Sequence, residues 1–115
     1  MVTCFLKYRI NPDKVDEFEH YAKFWIDAVN KMNGDHHGYL LPHEGPNNIA
    51  YATFSFSSLA AYEVYRSALE QCEECQRILT QAKEAGLIVS YERSFMRPVF
   101  EGFSNKGRIA DITEN

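Results

Sequence analysis

Between residues 2 and 32 the hydrophobic period changes once, and that change restricts the fold more than any other feature of the chain. Val2, Cys4, Leu6, Tyr8 and Ile10 occupy every second position, with Thr3, Phe5, Lys7 and Arg9 between them, as in a strand with one face in the core. Val15, Phe18, Ala22, Trp25, Val29 and Met32 then recur at spacings of three and four, which places them on one side of a helix. Asn11-Pro12 reads as an N-cap followed by proline in the first turn, and Asp13 and Asp16 complement the helix dipole. Gly34 supplies the C-terminal stop. Tyr21, Phe24 and Ala28 widen the stripe, so this helix packs against more than one neighbour.

The rest of the chain repeats that unit in altered form. Gly34 to Phe56 reads as a hairpin whose connection, Pro42-His43-Glu44-Gly45-Pro46-Asn47-Asn48, is rich in turn-forming residues. Ser57 or Ser58 caps a second helix, in which Leu59, Tyr62, Tyr65 or Arg66, and Leu69 follow helical spacing. The pattern weakens at Glu70 to Glu74 and resumes with Cys75, Ile78, Leu79, Ala82 and Ala85 before Gly86, which predicts two helical pieces with a kink or break between them. Residues 87 to 100 read as a last strand with Pro98 confined to its end or to an edge. The order is that of a ferredoxin-like βαββαβ fold, an α+β domain over residues 1–100 with helices on one face of a four-stranded antiparallel sheet. Residues 101–115 read as a polar tail docking through Ile109 and Ile112.

Such a sheet leaves a second face uncovered, and Phe5, Lys7, Arg9, Tyr51 and Thr53 fall on it. A surface that aromatic predicts a homodimer formed sheet to sheet. The formal charge of −4, with no basic run, argues against nucleic acid as a partner. No apolar stretch approaches membrane-spanning length and none near Met1 resembles a secretory segment; with three cysteines, an odd number, the expected setting is cytoplasmic and reducing.

Three of the four histidines lie in the hairpin. His36 and His37 point to opposite faces of a strand, so they do not chelate together. If Gly38 and Leu40 face the helices, then His37, Tyr39 and Leu41 share the uncovered face, which makes His37 and Tyr39 the candidate acid–base pair; the alternative is a structural histidine. His36 would then face the helix layer. Arg9, Tyr51 and Arg93 are candidate ligand contacts, because cations on an inward sheet face need either an acid such as Glu92 or an anionic ligand. His43 beside Glu44 either touches a ligand at a cavity mouth or serves the turn. Cys72-Glu73-Glu74-Cys75 lacks a second pair for zinc and carries acids that disfavour a thiolate, so it reads as chemically idle. The sequence calls for neither a metal nor a cofactor.

Thr3-Cys4-Phe5-Leu6-Lys7-Tyr8, Trp25-Ile26, His36-His37-Gly38-Tyr39, Pro42-His43-Glu44-Gly45, Phe54-Ser55-Phe56 and Tyr91-Glu92-Arg93-Ser94-Phe95 together resemble a NIPSNAP domain over residues 2–99. The resemblance implies a dimeric α+β barrel in which two ferredoxin-like sheets meet. Two classes of function are open. One is a small-molecule binding protein or cofactor-independent enzyme, monooxygenase-like or dehydratase-like by analogy of architecture alone, with its site in the barrel interior. The other is a non-enzymatic dimeric interaction module.

Overall fold

The structure, a computed structural model, describes residues 1–100. Strands β1 (Val2–Ile10), β2 (Asp35–Leu40), β3 (Ile49–Phe56) and β4 (Ile88–Met96) form one antiparallel sheet in the order β2-β3-β1-β4. Helices α1 (Val15–Lys31), α2 (Leu59–Gln71) and α3 (Glu73–Ala85) complete the ferredoxin-like α+β fold. Cys4, Leu6, Tyr8 and Ile10 are buried against Phe18, Trp25, Phe54, Phe56, Tyr65 and Leu69, so the alternation in β1 sorts its side chains as the sequence predicts.

Local chemistry sets the ends of the elements. The Asn11 side chain accepts from the Asp13 N–H, but it caps a 3₁₀ turn, Pro12–Lys14, that leads into α1. The left-handed residue that ends α1 is Asn33, at φ 69°, and not Gly34. Gly34 is required for space: a Cβ there would lie 2.6 Å from Val29 Cγ1 and 2.8 Å from the Phe56 ring. Ser58 Oγ accepts from the Ala61 N–H at the start of α2, and Gly86 ends α3 in the left-handed conformation. The last strand stops at Met96, short of Pro98, because proline has no N–H for the ladder. Ile109, Ile112 and the expected tail lie outside the described residues.

Two expectations need correction. Cys72 and Cys75 are joined in a disulfide, with Cα atoms 5.2 Å apart, and are not idle thiols. Cys72 sits at the N-cap of α3, where its sulfur accepts from the Cys75 N–H at 3.2 Å, an interaction the acidic flanks had obscured. The second correction concerns β2. His36 pairs with Phe54 and Gly38 with Thr53, so His37 is an extra residue in a β-bulge, and Gly38 takes φ +109° to accommodate it. Beyond the bulge the parity of the strand is reversed. Gly38 and Leu40 lie opposite Thr53 and Tyr51 on the open face, whereas Tyr39 lies opposite Ala52 and turns to the helices. His37 and Tyr39 therefore do not share a face, and the expected acid–base pair does not form.

Candidate functional site

The open face of the sheet holds His37, Tyr51 and Arg9. His37 Nε2 lies 2.8 Å from Ser55 Oγ, which lies 2.7 Å from Thr3 Oγ1, so one hydrogen-bonded line ties β2 to β3 and β1. The serine beside the imidazole is no accessible nucleophile, because Ser55 is only 1% exposed. Tyr51 and Phe5 meet at 5.6 Å between ring centroids, and with His37 and Leu40 they line an apolar hollow of about 340 Å³. Arg9 is exposed near the end of the same face, and His43 is exposed in the β2–β3 connection.

Arg93 is elsewhere. It pairs with Leu6 in the β1–β4 ladder and so projects on the helix side, with its guanidinium 5.3 Å from the Tyr91 ring centroid. There a cleft of about 340 Å³, with Leu79, Ile88 and Tyr91 in its wall, adjoins an inner recess of about 70 Å³ lined by Trp25, His36, Tyr39, Phe54 and Tyr65. Arg66 of α2 and Arg93 of β4 line both spaces, together with Leu6, Tyr8, Tyr21, Leu69 and Leu79. Among the described residues neither arginine forms an ion pair. The sequence-predicted residues thus divide into three groups: His37 and Tyr51 at the open-face hollow, Tyr39 and Arg93 at the helix-side recess, and Arg9 and His43 at exposed positions apart from both.

The recess has unusual electrostatics. Tyr8 stacks on Tyr39 at 6.1 Å, and burial pushes both phenols far up, so neither supplies a phenolate near neutral pH. Burial likewise pushes Tyr21 and Tyr65 up to about 12. Burial raises the Cys4 thiol, with the neighbouring Arg93 guanidinium opposing the shift. His36 is held between Tyr39, at 5.0 Å, and Phe54, at 5.4 Å. Desolvation there, helped by the charge of His37, lowers its pKa to about 4, so the ring is neutral. The groups available to a ligand are therefore two permanent cations, a set of neutral hydrogen-bonding side chains and, in the outer cleft alone, the carboxylate of Glu70.

The family model for NIPSNAP matches residues 4–101, nearly the whole chain. The chain belongs to the NIPSNAP family. Among solved structures, the NIPSNAP chain is similar to protein Atu4242 from Agrobacterium tumefaciens at 21% identity and a TM-score of 0.76, covering 89% of this chain and 97% of that one. A NIPSNAP family protein from the same organism, Atu5224, matches at 20% identity and a TM-score of 0.75, covering 88% of each chain. A putative antibiotic biosynthesis monooxygenase from Nitrosomonas europaea matches at 5% identity and a TM-score of 0.67, covering 87% of this chain and 100% of that one. At these identities the likeness establishes the fold and no activity. No curated protein matches the chain.

Sequence reasoning missed most of the NIPSNAP chain's helix-side cleft. Trp25 and Tyr65 were legible only as core positions, and Arg66 only as an alternative to Tyr65 in the stripe of α2. The available signal was Arg93: its parity with Tyr91 and Phe95 puts it on whichever face Tyr8 occupies, once β1 and β4 are paired in register. No described helix is long and apolar enough to cross a membrane.

Proposed function

We propose that this NIPSNAP chain binds a small organic acid with an apolar body in the cleft between its sheet and its helices, and that it does so as a homodimer whose open sheet faces meet. The convergence of Arg66 and Arg93 on one apolar-walled cleft carries the binding reading. Two cations with no ion-pair partner among the described residues outnumber the single acid of the cleft, Glu70, and with the aromatic and aliphatic side chains around them they suit a carboxylate attached to a hydrophobic group. Isothermal titration with phenylbutyrate tests it. Saturable binding is expected, weakened about tenfold or more by Arg93→Ala, as for loss of a charged hydrogen bond. Absence of binding at millimolar concentration overturns the reading.

The dimer rests on the open face. Leu40 is 70% exposed beside the Phe5–Tyr51 pair, and Met96 at the end of β4 is 53% exposed. A second copy laid on this surface would remove these side chains from water and cover the His37–Ser55–Thr3 line, leaving the helix-side cleft of each chain accessible. Light scattering at micromolar concentration should give twice the chain mass. The same surface favours the second reading, an interaction module, if the dimer forms and no acid binds.

A further inference from the structure

The inner recess contains two buried nitrogen atoms that no protein group satisfies. Trp25 Nε1 and His36 Nε2 have no hydrogen-bond partner among the described residues, although their side chains are 6% and 8% exposed. Trp25 lies beside Tyr21, at 6.0 Å between centroids, and its indole opposes the upward shift of that phenol, but the N–H does not reach hydrogen-bonding geometry with the hydroxyl. Both residues line the recess that Arg66 and Arg93 border.

The hydrogen-bonding character of each group follows from its chemistry. An indole nitrogen only donates. In His36 the Gly38 N–H donates to Nδ1 at 2.9 Å, so the proton of the neutral ring is on Nε2, which is then a donor as well. This arrangement exists because of the bulge, which brings the Gly38 N–H back onto the ring two residues before it. The recess therefore presents two N–H donors from opposite layers of the fold, α1 and β2, and two arginines also line it. Leaving a buried donor unsatisfied costs about 1 to 3 kcal/mol, so each N–H calls for an acceptor in the recess, a water when it is empty of ligand and a ligand oxygen when it is filled.

We infer that the Trp25 and His36 donor pair reads the oxygen-bearing head of the ligand: a carboxylate enters the recess, accepts from both N–H groups and takes its charge balance from Arg66 and Arg93, while its apolar body stays in the outer cleft. The inference rests on the cleft reading above and assigns the deep contacts within it. Size is consistent. A space of about 70 Å³ holds a few waters, at about 10 to 15 Å³ each by this measure, and so takes a carboxylate but not an aromatic ring. The ring of an arylalkanoate would instead rest against Leu79, Ile88 and Tyr91. The tyrosine hydroxyls that line the recess can accept as well as donate, but the two N–H groups only donate and the two guanidinium groups repel a cation, so the site favours an anionic acceptor oxygen over an ammonium.

Trp25 is the only tryptophan in the sequence, so its indole N–H gives a single resonance in a proton–nitrogen correlation spectrum. Titration of the full chain with phenylbutyrate should move that resonance downfield in step with binding measured by calorimetry. Trp25→Phe, which keeps an aromatic ring and removes the donor, should weaken phenylbutyrate about tenfold, as for one hydrogen bond. Phenylbutylamine should not bind. If phenylbutyrate binds and depends on Arg93 while the indole resonance stays in place and Trp25→Phe binds equally well, the head does not enter the recess; the donor assignment is then overturned and the cleft reading stands. Failure of phenylbutyrate to bind at all overturns both.

Discussion

His36 and Tyr39 stack at 5.0 Å with their rings 12° from parallel, although they stand three residues apart in one strand. In a regular strand that separation puts two side chains on opposite faces. The bulge at His37 brings them together, and with them it creates the back wall of the recess.

The neutral state of His36 predicts an acid-sensitive fold. Its pKa is lowered from 6.5 to about 4 by burial, with His37 adding to the shift, so between those values the unfolded chain holds a proton that the folded chain does not. Stability is complete above pH 6.5 and falls as the pH drops toward 4, by on the order of 2 kcal/mol, less than the bare shift implies because the ring borders a cleft open to solvent. Urea denaturation across this range should show the slope, and His36→Gln should flatten it. An unchanged slope in that variant would place the acid sensitivity elsewhere.

Gly34→Ala should destabilise the chain by about 1 to 3 kcal/mol, the usual cost of forcing a methyl group into a packed core. Its Cβ would meet Val29 Cγ1 at 2.6 Å and the Phe56 ring at 2.8 Å, and both neighbours are fully buried. Chemical denaturation measures the loss. A companion change that shortens Val29 should recover part of it, whereas a purely conformational role for Gly34 predicts no recovery.

The cap at Cys72 separates from the disulfide by substitution. Cys72→Ser and Cys72→Ala both remove the covalent link, but only serine can accept from the Cys75 N–H at the start of α3. The alanine variant should be less stable than the serine variant by about 0.5 to 2 kcal/mol, the range for losing an N-cap acceptor. Equal melting of the two would mean that the sulfur contributes nothing as a cap.

Ser55→Ala removes the centre of the line from His37 to Thr3. The two remaining polar groups lie at the open face and can turn to solvent in a monomer, so a small cost, below about 1 kcal/mol, is expected there. In a sheet-to-sheet dimer they would be enclosed, and the same substitution should weaken self-association measurably by analytical ultracentrifugation. A variant that dimerises as the parent does would separate this line of hydrogen bonds from the interface.

The fold was legible because period and punctuation agreed: alternation in β1, three-and-four spacing in α1, a break near Cys72 and left-handed Gly86 each map onto the element expected. The site was legible only in part. His37 falls on the open face and His36 under the helices, as alternation requires, yet Tyr39 was misplaced because a single extra residue in β2 reverses every side chain after it. Gly38 inside a strand was the available warning. The cleft was harder to read, since Trp25, His36, Arg66 and Arg93 come from four different elements and acquire a common purpose only through tertiary packing.

The position of β1 has a consequence for how the chain is made. The first strand of the domain lies in the interior of the sheet, hydrogen-bonded on one side to β3 and on the other to β4, the last strand of the domain. Residues 2–10 are therefore synthesised before either partner, and their second edge is closed only when residues 88–96 have followed. Such distant pairing slows folding, and it leaves one edge of an aromatic, β-prone segment open until the last strand of the domain has been made.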